Sequence, residues 1–435
     1  MVWRIPTDAA IGALISERID VERAGVGIVV GVIDDSGQRV IARGSLARND
    51  ARFATGDSLF EIGSITKVFT TLLLADMVAR GEVALDDPVA KLLPVGVILP
   101  ERGGRQITLI DLATHTAGLP RSPADTADVD WSNPFADYTL DRLYAFFAGV
   151  RLTSDIGAEF AYSNLGLGLL GHALALQVGV DYETLIKQRI TGPLGMPDTT
   201  IALRGDLKER FAVPHDHDLN PVLAWDLPWI PGAGALRSTC NDLLAFLAAE
   251  VGLVQTPLQA AMVAQTEPRR PSDDTYVQSL GWRLESAPGG EIAWHGGATG
   301  GTRCFLLFSR ERRAGVVMLT NAATSRNDDI PFHLLSGRPL AGIRPSVQLT
   351  AKELAVFEGR YRFSDKWEMA ITSQDARLFG QLTGQRQMEV LAAGPTQFFW
   401  PTLKAEMSFT VGQSGRATSL VLRQNGRDMR ATRVD

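Results

Sequence analysis

The stretch that most constrains the fold is residues 65–81, Ile-Thr-Lys-Val-Phe-Thr-Thr-Leu-Leu-Leu-Ala-Asp-Met-Val-Ala-Arg-Gly. It is apolar nearly all round a helical wheel and ends at a glycine, the signature of a helix enclosed by protein on every side. The chain must therefore build a core thick enough to surround a helix. At 435 residues it has the means, and a typical size of roughly 100–200 residues per domain predicts two or three units. Hydrophobic residues at 45% and charged residues at 21% are the proportions of a folded globular chain.

The rest of the pattern places strands around helices. The apolar run Val26–Ile33, the turn cluster Asp34-Asp35-Ser36-Gly37 and the β-like Arg39–Ala42 predict a buried hairpin. Helical periodicity covers Leu140–Ala148, Leu165–Val178, Tyr182–Ile190 and Asp242–Val251. Strand patterns return at Gln278–Leu284, Glu291–Trp294, Arg303–Phe308 and Gly315–Leu319. The expected first domain is thus α/β over residues 1–335, with strands bracketing an α insert at about 70–275. The Pro- and Gly-containing stretch from Ser336 reads as a linker over 336–350. Beyond it, alternation at Trp367/Met369/Ile371, Leu378/Leu382, Met388/Val390 and Met407/Phe409/Val411, with Asn425-Gly426 as a turn, predicts a small antiparallel β-barrel over 351–435.

A formal net charge of −6 and the lack of a Lys/Arg-rich run argue against a nucleic-acid partner. Apolar runs fall short of the ~18–20 residues of a membrane span, so no membrane partner is expected either. Cys240 and Cys304 read as reduced core thiols. The first residues show no basic segment followed by an apolar stretch, which predicts a cytoplasmic address, or a periplasmic or secreted one if an export signal was removed.

Chemistry concentrates in three clusters. Ser64 and Lys67 are three residues apart at the start of the buried helix, so their side chains share a face. A serine hydroxyl is a weak nucleophile that a neutral amine can activate, and desolvation at a helix N-terminus lowers a lysine pKa toward that task. The competing reading makes Ser64 an N-cap and Lys67 a solvated residue. Against it, Lys67 lies in an apolar stretch where a solvated lysine is out of place.

The second cluster, Tyr162-Ser163-Asn164, offers a phenol to relay protons as base and then acid, and a carboxamide to hold substrate. Its competing reading is a loop tyrosine with Asn164 as N-cap. The third, Trp294-His295-Gly296-Gly297-Ala298-Thr299-Gly300-Gly301, is a glycine-rich segment between two strands that lets backbone approach a ligand. The N–H groups of Ala298 and Ser64 are candidates for a shared oxyanion hole. The alternative is a hairpin with a structural His295.

Ser-x-x-Lys, a polar triplet and a glycine-rich third motif, in that order, resemble the set of β-lactamases and penicillin-binding proteins. Glu61-Ile-Gly-Ser-Ile-Thr-Lys67, Leu85-Asp-Asp-Pro88, Leu112–Pro120 and Gly234–Thr239 also resemble this family's framework. With Tyr-x-Asn as the triplet, the likeness is to class C β-lactamases, D-peptidases and related esterases. It implies a β-lactamase/transpeptidase fold, acylation of Ser64, proton transfer by Lys67 and Tyr162, and substrate binding by Asn164, His295, Gly296 and Gly297. The C-terminal segment resembles the lipocalin-like barrel of several relatives, which there shapes the substrate entrance or pairs subunits into a homo-oligomer.

His295 stands where classical β-lactamases carry a lysine, and a histidine near pKa 6.5 is mostly neutral at pH 7. The resemblance therefore points to small-molecule ester or short D-peptide substrates ahead of penicillins. A penicillin-binding sensor that acylates without efficient turnover is the competing class. No cofactor is implied, because serine acylation needs none. His215-Asp-His217 lacks a third ligand and reads as a surface loop, so no metal is assigned. His115 reads as a hydrogen-bonded structural residue. The α/β-hydrolase elbow Gly-x-Ser-x-Gly fails at Ser64, since position 66 is threonine.

Overall fold

The computed structural model describes residues 3–123, 133–271, 276–341, 347–364, 367–374, 376–383, 387–400, 405–424 and 427–435. The chain divides into two compact units, Met1–Leu340 and Ala341–Asp435.

In the first unit the strands are β1 (Gly27–Asp34), β2 (Gly37–Gly44), β3 (Leu59–Glu61), β4 (Arg237–Thr239), β5 (Arg270–Pro271), β6 (Val277–Gln278), β7 (Arg283–Ala287), β8 (Gly290–Ala298), β9 (Arg303–Ser309) and β10 (Ala314–Thr320). Eight of them form one antiparallel sheet in the order β2-β1-β10-β9-β8-β7-β6-β5, while β3 and β4 pair separately. The continuous apolar run of β1 follows from burial on both faces. Ile28, Val30 and Val32 pack with Ile11 and Ile15 of the helix Asp8–Ser16, whereas Val29 and Ile33 pack into the larger helical core.

The expected central helix spans Thr66–Ala79, preceded by a tight turn at Gly63–Ile65, and every residue from Thr66 to Met77 is buried. Its polar side chains tie it to its surroundings. Thr70 donates to the carbonyl of Gly232 at 2.7 Å, and Thr71 donates to that of Leu280 at 2.9 Å. The amide of Gln265 donates to the carbonyl of Val68 at 2.7 Å. Helices at Leu140–Gly149, Asn164–Val178 and Cys240–Glu250 follow the sequence pattern closely, and Tyr182–Ile186 continues as a wider turn over Lys187–Thr191.

Two strand expectations need correction. The segment Gln278–Leu284 is broken between β6 and β7, where Gly281 takes φ of +78° and a side chain would collide with Thr71. The glycine-rich segment at 295–298 belongs to β8 itself, and the turn comes only at Thr299–Thr302.

The second unit is a closed eight-stranded antiparallel barrel, β11 (Gly359–Ser364) to β18 (Arg427–Arg433), with β11 pairing back onto β18. Met369, Ile371, Leu378, Val390, Met407 and Phe409 fill its interior as the alternation requires. Trp367 and Val411 do not, being 50% and 39% exposed at strand ends. The Asn425-Gly426 turn lies outside the described residues. Phe357, just before β11, packs on Phe398 and Phe409 at 4.9 Å each, so aromatic rings plug the barrel.

Candidate active site

Ser64 lies in the turn that launches the central helix. The helix N-cap residue is Ile65 and makes no side-chain cap, so the capping role considered for Ser64 does not apply. Instead the Lys67 ammonium donates to Ser64 Oγ at 2.9 Å and to the carbonyl of Ala233 at 2.6 Å. Lys67 is fully buried. Burial lowers its pKa below the usual lysine value, aided by the charges of Arg121 and Arg283 and opposed by Tyr162.

Tyr162 completes this group. Its ring centroid is 5.0 Å from Lys67 Nζ. Burial alone pushes the phenol pKa up, but the nearby Lys67 cation, the Ser64 hydroxyl and Arg283 outweigh it and the pKa falls. Ser64, Lys67 and Tyr162 can therefore pass one proton among them.

His115 supports Tyr162 from behind. The two rings are 4.5 Å apart and tilted by 31°. His115 Nδ1 accepts the N–H of Ser163 at 3.1 Å, and its carbonyl accepts that of Ala161 at 2.8 Å. Burial and the nearby cations hold its pKa well below the ordinary value, which fits the structural role read from the sequence.

Asn164 opens the helix Asn164–Val178, whose cap is Ser163 Oγ accepting from Gly166 N–H at 3.0 Å. The N-cap reading of Asn164 is thereby corrected. Its half-buried amide makes no hydrogen bond to a described residue and stays available to a ligand.

His295, Gly296, Gly297 and Ala298 run along β8 beside the nucleophile turn. Two glycines make this approach possible. Gly63 adopts φ of +49°, and a side chain there would begin 2.8 Å from the nitrogen of Ala298. A side chain on Gly297 would collide with the carbonyl of Ile62. The backbones of Ser64 and Ala298 are thus brought together as a two-donor oxyanion site requires.

The buried His295 donates from Nδ1 to the carbonyl of Gly296 at 2.8 Å. Burial, Arg283 and Lys67 hold its pKa well below the ordinary value. His295 is neutral here and supplies no fixed charge.

Sequence reasoning missed the residues that do. The Arg283 guanidinium lies 4.9 Å from the Tyr276 ring, 4.8 Å from Trp294 and 5.8 Å from Tyr162. That of Arg121 lies 5.0 Å from Tyr162. Neither has a carboxylate partner among the described residues, so two cations face the reacting group. Arg283 on β7 is the register partner of Trp294 on β8, and this pairing between strands places it there. A sequence scan had no periodic signal for it.

The His215-Asp-His217 segment is also corrected. His215 is fully buried, and both ring nitrogens are engaged, Nε2 accepting from Arg48 N–H at 3.1 Å and Nδ1 donating to the carbonyl of Asn321 at 3.0 Å. Cys240 and Cys304 are free and buried.

The chain is similar to several known proteins. The family described as Beta-lactamase matches residues 12–336, and a domain of unknown function, DUF3471, matches residues 344–433. D-alanyl-D-alanine-carboxypeptidase/endopeptidase AmpH of Escherichia coli (strain K12) is 34% identical over 198 residues, 44% of this chain and 48% of that protein. The match thus spans about half the length of that relative. A penicillin-binding protein of Bacillus subtilis (strain 168) is 26% identical over 417 residues, 87% of this chain and 88% of the relative. The crystal structure of a class C β-lactamase from Rhodobacter sphaeroides superposes with a TM-score of 0.62 at 28% identity, covering 72% of this chain and 93% of the other.

Proposed function

Because the chain belongs to the β-lactamase family, we propose that it is a serine hydrolase working through an acyl-enzyme on small esters and D-amino-acid amides or peptides. Within that class, D-peptides ending in a free carboxylate are favoured over penicillins. The observation that carries the reading is the buried Lys67 amine 2.9 Å from Ser64 Oγ.

Neutral Lys67, or the Tyr162 phenolate, takes the Ser64 proton as Oγ attacks the substrate carbonyl. The N–H groups of Ser64 and Ala298 receive the developing oxyanion. Collapse breaks the bond to the leaving amine or alkoxide, which takes the same proton back. Water then attacks the ester, activated by the same pair, and the acid product leaves with Ser64 restored. Asn164 is placed to hold the acyl side.

The charges around the site sharpen the substrate choice. The neutral His295 leaves the place of a fixed cation unfilled, which disfavours penicillins, while Arg283 and Arg121 offer guanidinium forks to a carboxylate elsewhere in the cleft. The relative named as a D-alanyl-D-alanine-carboxypeptidase supports the same class.

A side-by-side kinetic panel of nitrocefin, short-chain p-nitrophenyl esters and D-alanyl-D-alanine peptides tests the proposal. Steady turnover of peptide or ester, lost in Ser64→Ala, is expected, with nitrocefin slowest. A stoichiometric burst without further turnover on every substrate would instead make the protein a sensor.

A further inference from the structure

Glu61 is buried three residues before Ser64, yet it takes no part in the proton transfers above. Its carboxylate joins two separate walls of the cleft. Oε1 accepts the N–H of Trp225 at 2.7 Å, and Oε2 accepts the hydroxyl of Thr299 at 2.8 Å. Its main-chain carbonyl accepts the hydroxyl of Thr302 at 3.1 Å and the thiol of Cys304 at 3.3 Å. Arg237, its register partner on β4, is 3.8 Å from Oε1 and donates to the carbonyl of Trp225 at 3.3 Å.

Thr299 immediately follows Ala298, and the turn it opens closes on Thr302, whose carbonyl accepts the N–H of Thr299 at 3.2 Å. Side chain and main chain of Glu61 thus grip both ends of the turn that fixes where β8 stops. On the other side, a side chain on Gly300 would begin 2.6 Å from the Trp225 indole nitrogen, so the two walls that Glu61 joins also touch. A carboxylate so enclosed costs free energy unless its acceptors are used. Here they are used on the backbone and turn that border the reacting carbonyl.

We infer that Glu61 is a positioning residue for acyl transfer: through Thr299 and Trp225 it holds the end of β8 against the nucleophile turn and keeps the Ala298 N–H aimed at the oxyanion. This rests on the reading of Ser64 as the acylated residue. It acts on the transition state more than on substrate binding, because the aim of an oxyanion donor matters once charge develops.

The test uses the full chain with Glu61→Ala, Glu61→Gln, Thr299→Val and the Glu61→Ala/Thr299→Val pair. Thermal melts verify folding, and kcat and KM are measured on a p-nitrophenyl ester. Loss of a single oxyanion donor costs ~10²–10³ in rate, so a misaimed one should lower kcat about 10- to 100-fold in Glu61→Ala with KM within about threefold. Glutamine can accept from Trp225 and donate to Thr299, so Glu61→Gln should stay within about fivefold of wild type. Thr299→Val should reproduce part of the loss, and the pair should be no worse than Glu61→Ala alone.

Folded Glu61→Ala with wild-type kcat, or equal losses in the alanine and glutamine variants, overturns the inference. Should Glu61→Ala not fold, wild-type kcat in Thr299→Val overturns it. Labelling by a fluorophosphonate keeps the two readings apart. A label on Ser64 that forms as fast in the variants as in wild type refutes the role of Glu61, whereas a wild-type protein not labelled at Ser64 refutes the reading beneath it.

Discussion

The His115 ring lies 4.5 Å from that of Tyr162, and its Nδ1 accepts the N–H of Ser163 next in the chain. His115 does so from a left-handed backbone, φ +59°, a conformation that only glycine and short polar residues adopt easily. Replacing His115 by alanine removes the acceptor, leaves a buried N–H unpaired and keeps the backbone strain. The expected cost is about 1–3 kcal/mol in denaturant unfolding, together with a fall in kcat as Tyr162 loses its support. His115→Asn tolerates the backbone and offers an acceptor, so it should lose less stability.

Lys67 must be neutral to accept a proton, and burial shifts that state to lower pH than for a free lysine. The acylation rate should therefore rise with pH along a limb centred below the ordinary lysine value of about 10.4. Lys67→Arg keeps the charge but cannot deprotonate, so stopped-flow acylation should drop by about 10³-fold or more and lose the limb. Tyr162→Phe should cost ~10²–10⁴.

Arg283 is expected to select for charge. In Arg283→Ala, kcat/KM for a D-peptide with a free terminal carboxylate should fall about 100-fold, the size of a lost charge-assisted pair of roughly 1.5–3 kcal/mol. The loss on a neutral p-nitrophenyl ester should be at least tenfold smaller. Equal losses on both would make Arg283 a scaffold for the Tyr276 and Trp294 rings instead.

Asp242 gives a prediction about stability. Burial raises its pKa from 3.8 to about 6, against the hydrogen bonds it accepts from Thr199 Oγ1 at 2.7 Å and Asp198 N–H at 3.0 Å. The folded value exceeds the unfolded one, so its contribution to stability is fully present below about pH 4 and is lost as pH rises through about 6. Asp242→Asn should abolish that part of the pH dependence, on the order of 2–3 kcal/mol, in unfolding curves recorded from pH 4 to 7.

The sequence disclosed what is local. The helix after Ser64, the Ser64–Lys67 pair and the barrel's alternation all follow from spacings of two to four residues, and the structure keeps them except at Trp367 and Val411 on strand ends. It concealed what depends on meetings between distant strands. Arg283 comes within 5.8 Å of the Tyr162 ring from a strand far along the chain, and Glu61 meets Thr299 across 238 residues. His215 read as surface because the His-x-His spacing lacks a third ligand, whereas its ring is buried and bonded to the distant backbone of Arg48 and Asn321.

The central claim is that Ser64 Oγ becomes esterified. Intact-mass and peptide mass spectrometry of the full chain trapped with a fluorophosphonate measures this directly. The account predicts one adduct per chain on the peptide containing Ser64, absent from Ser64→Ala. An adduct on any other residue, or an undiminished adduct in the alanine variant, would contradict it.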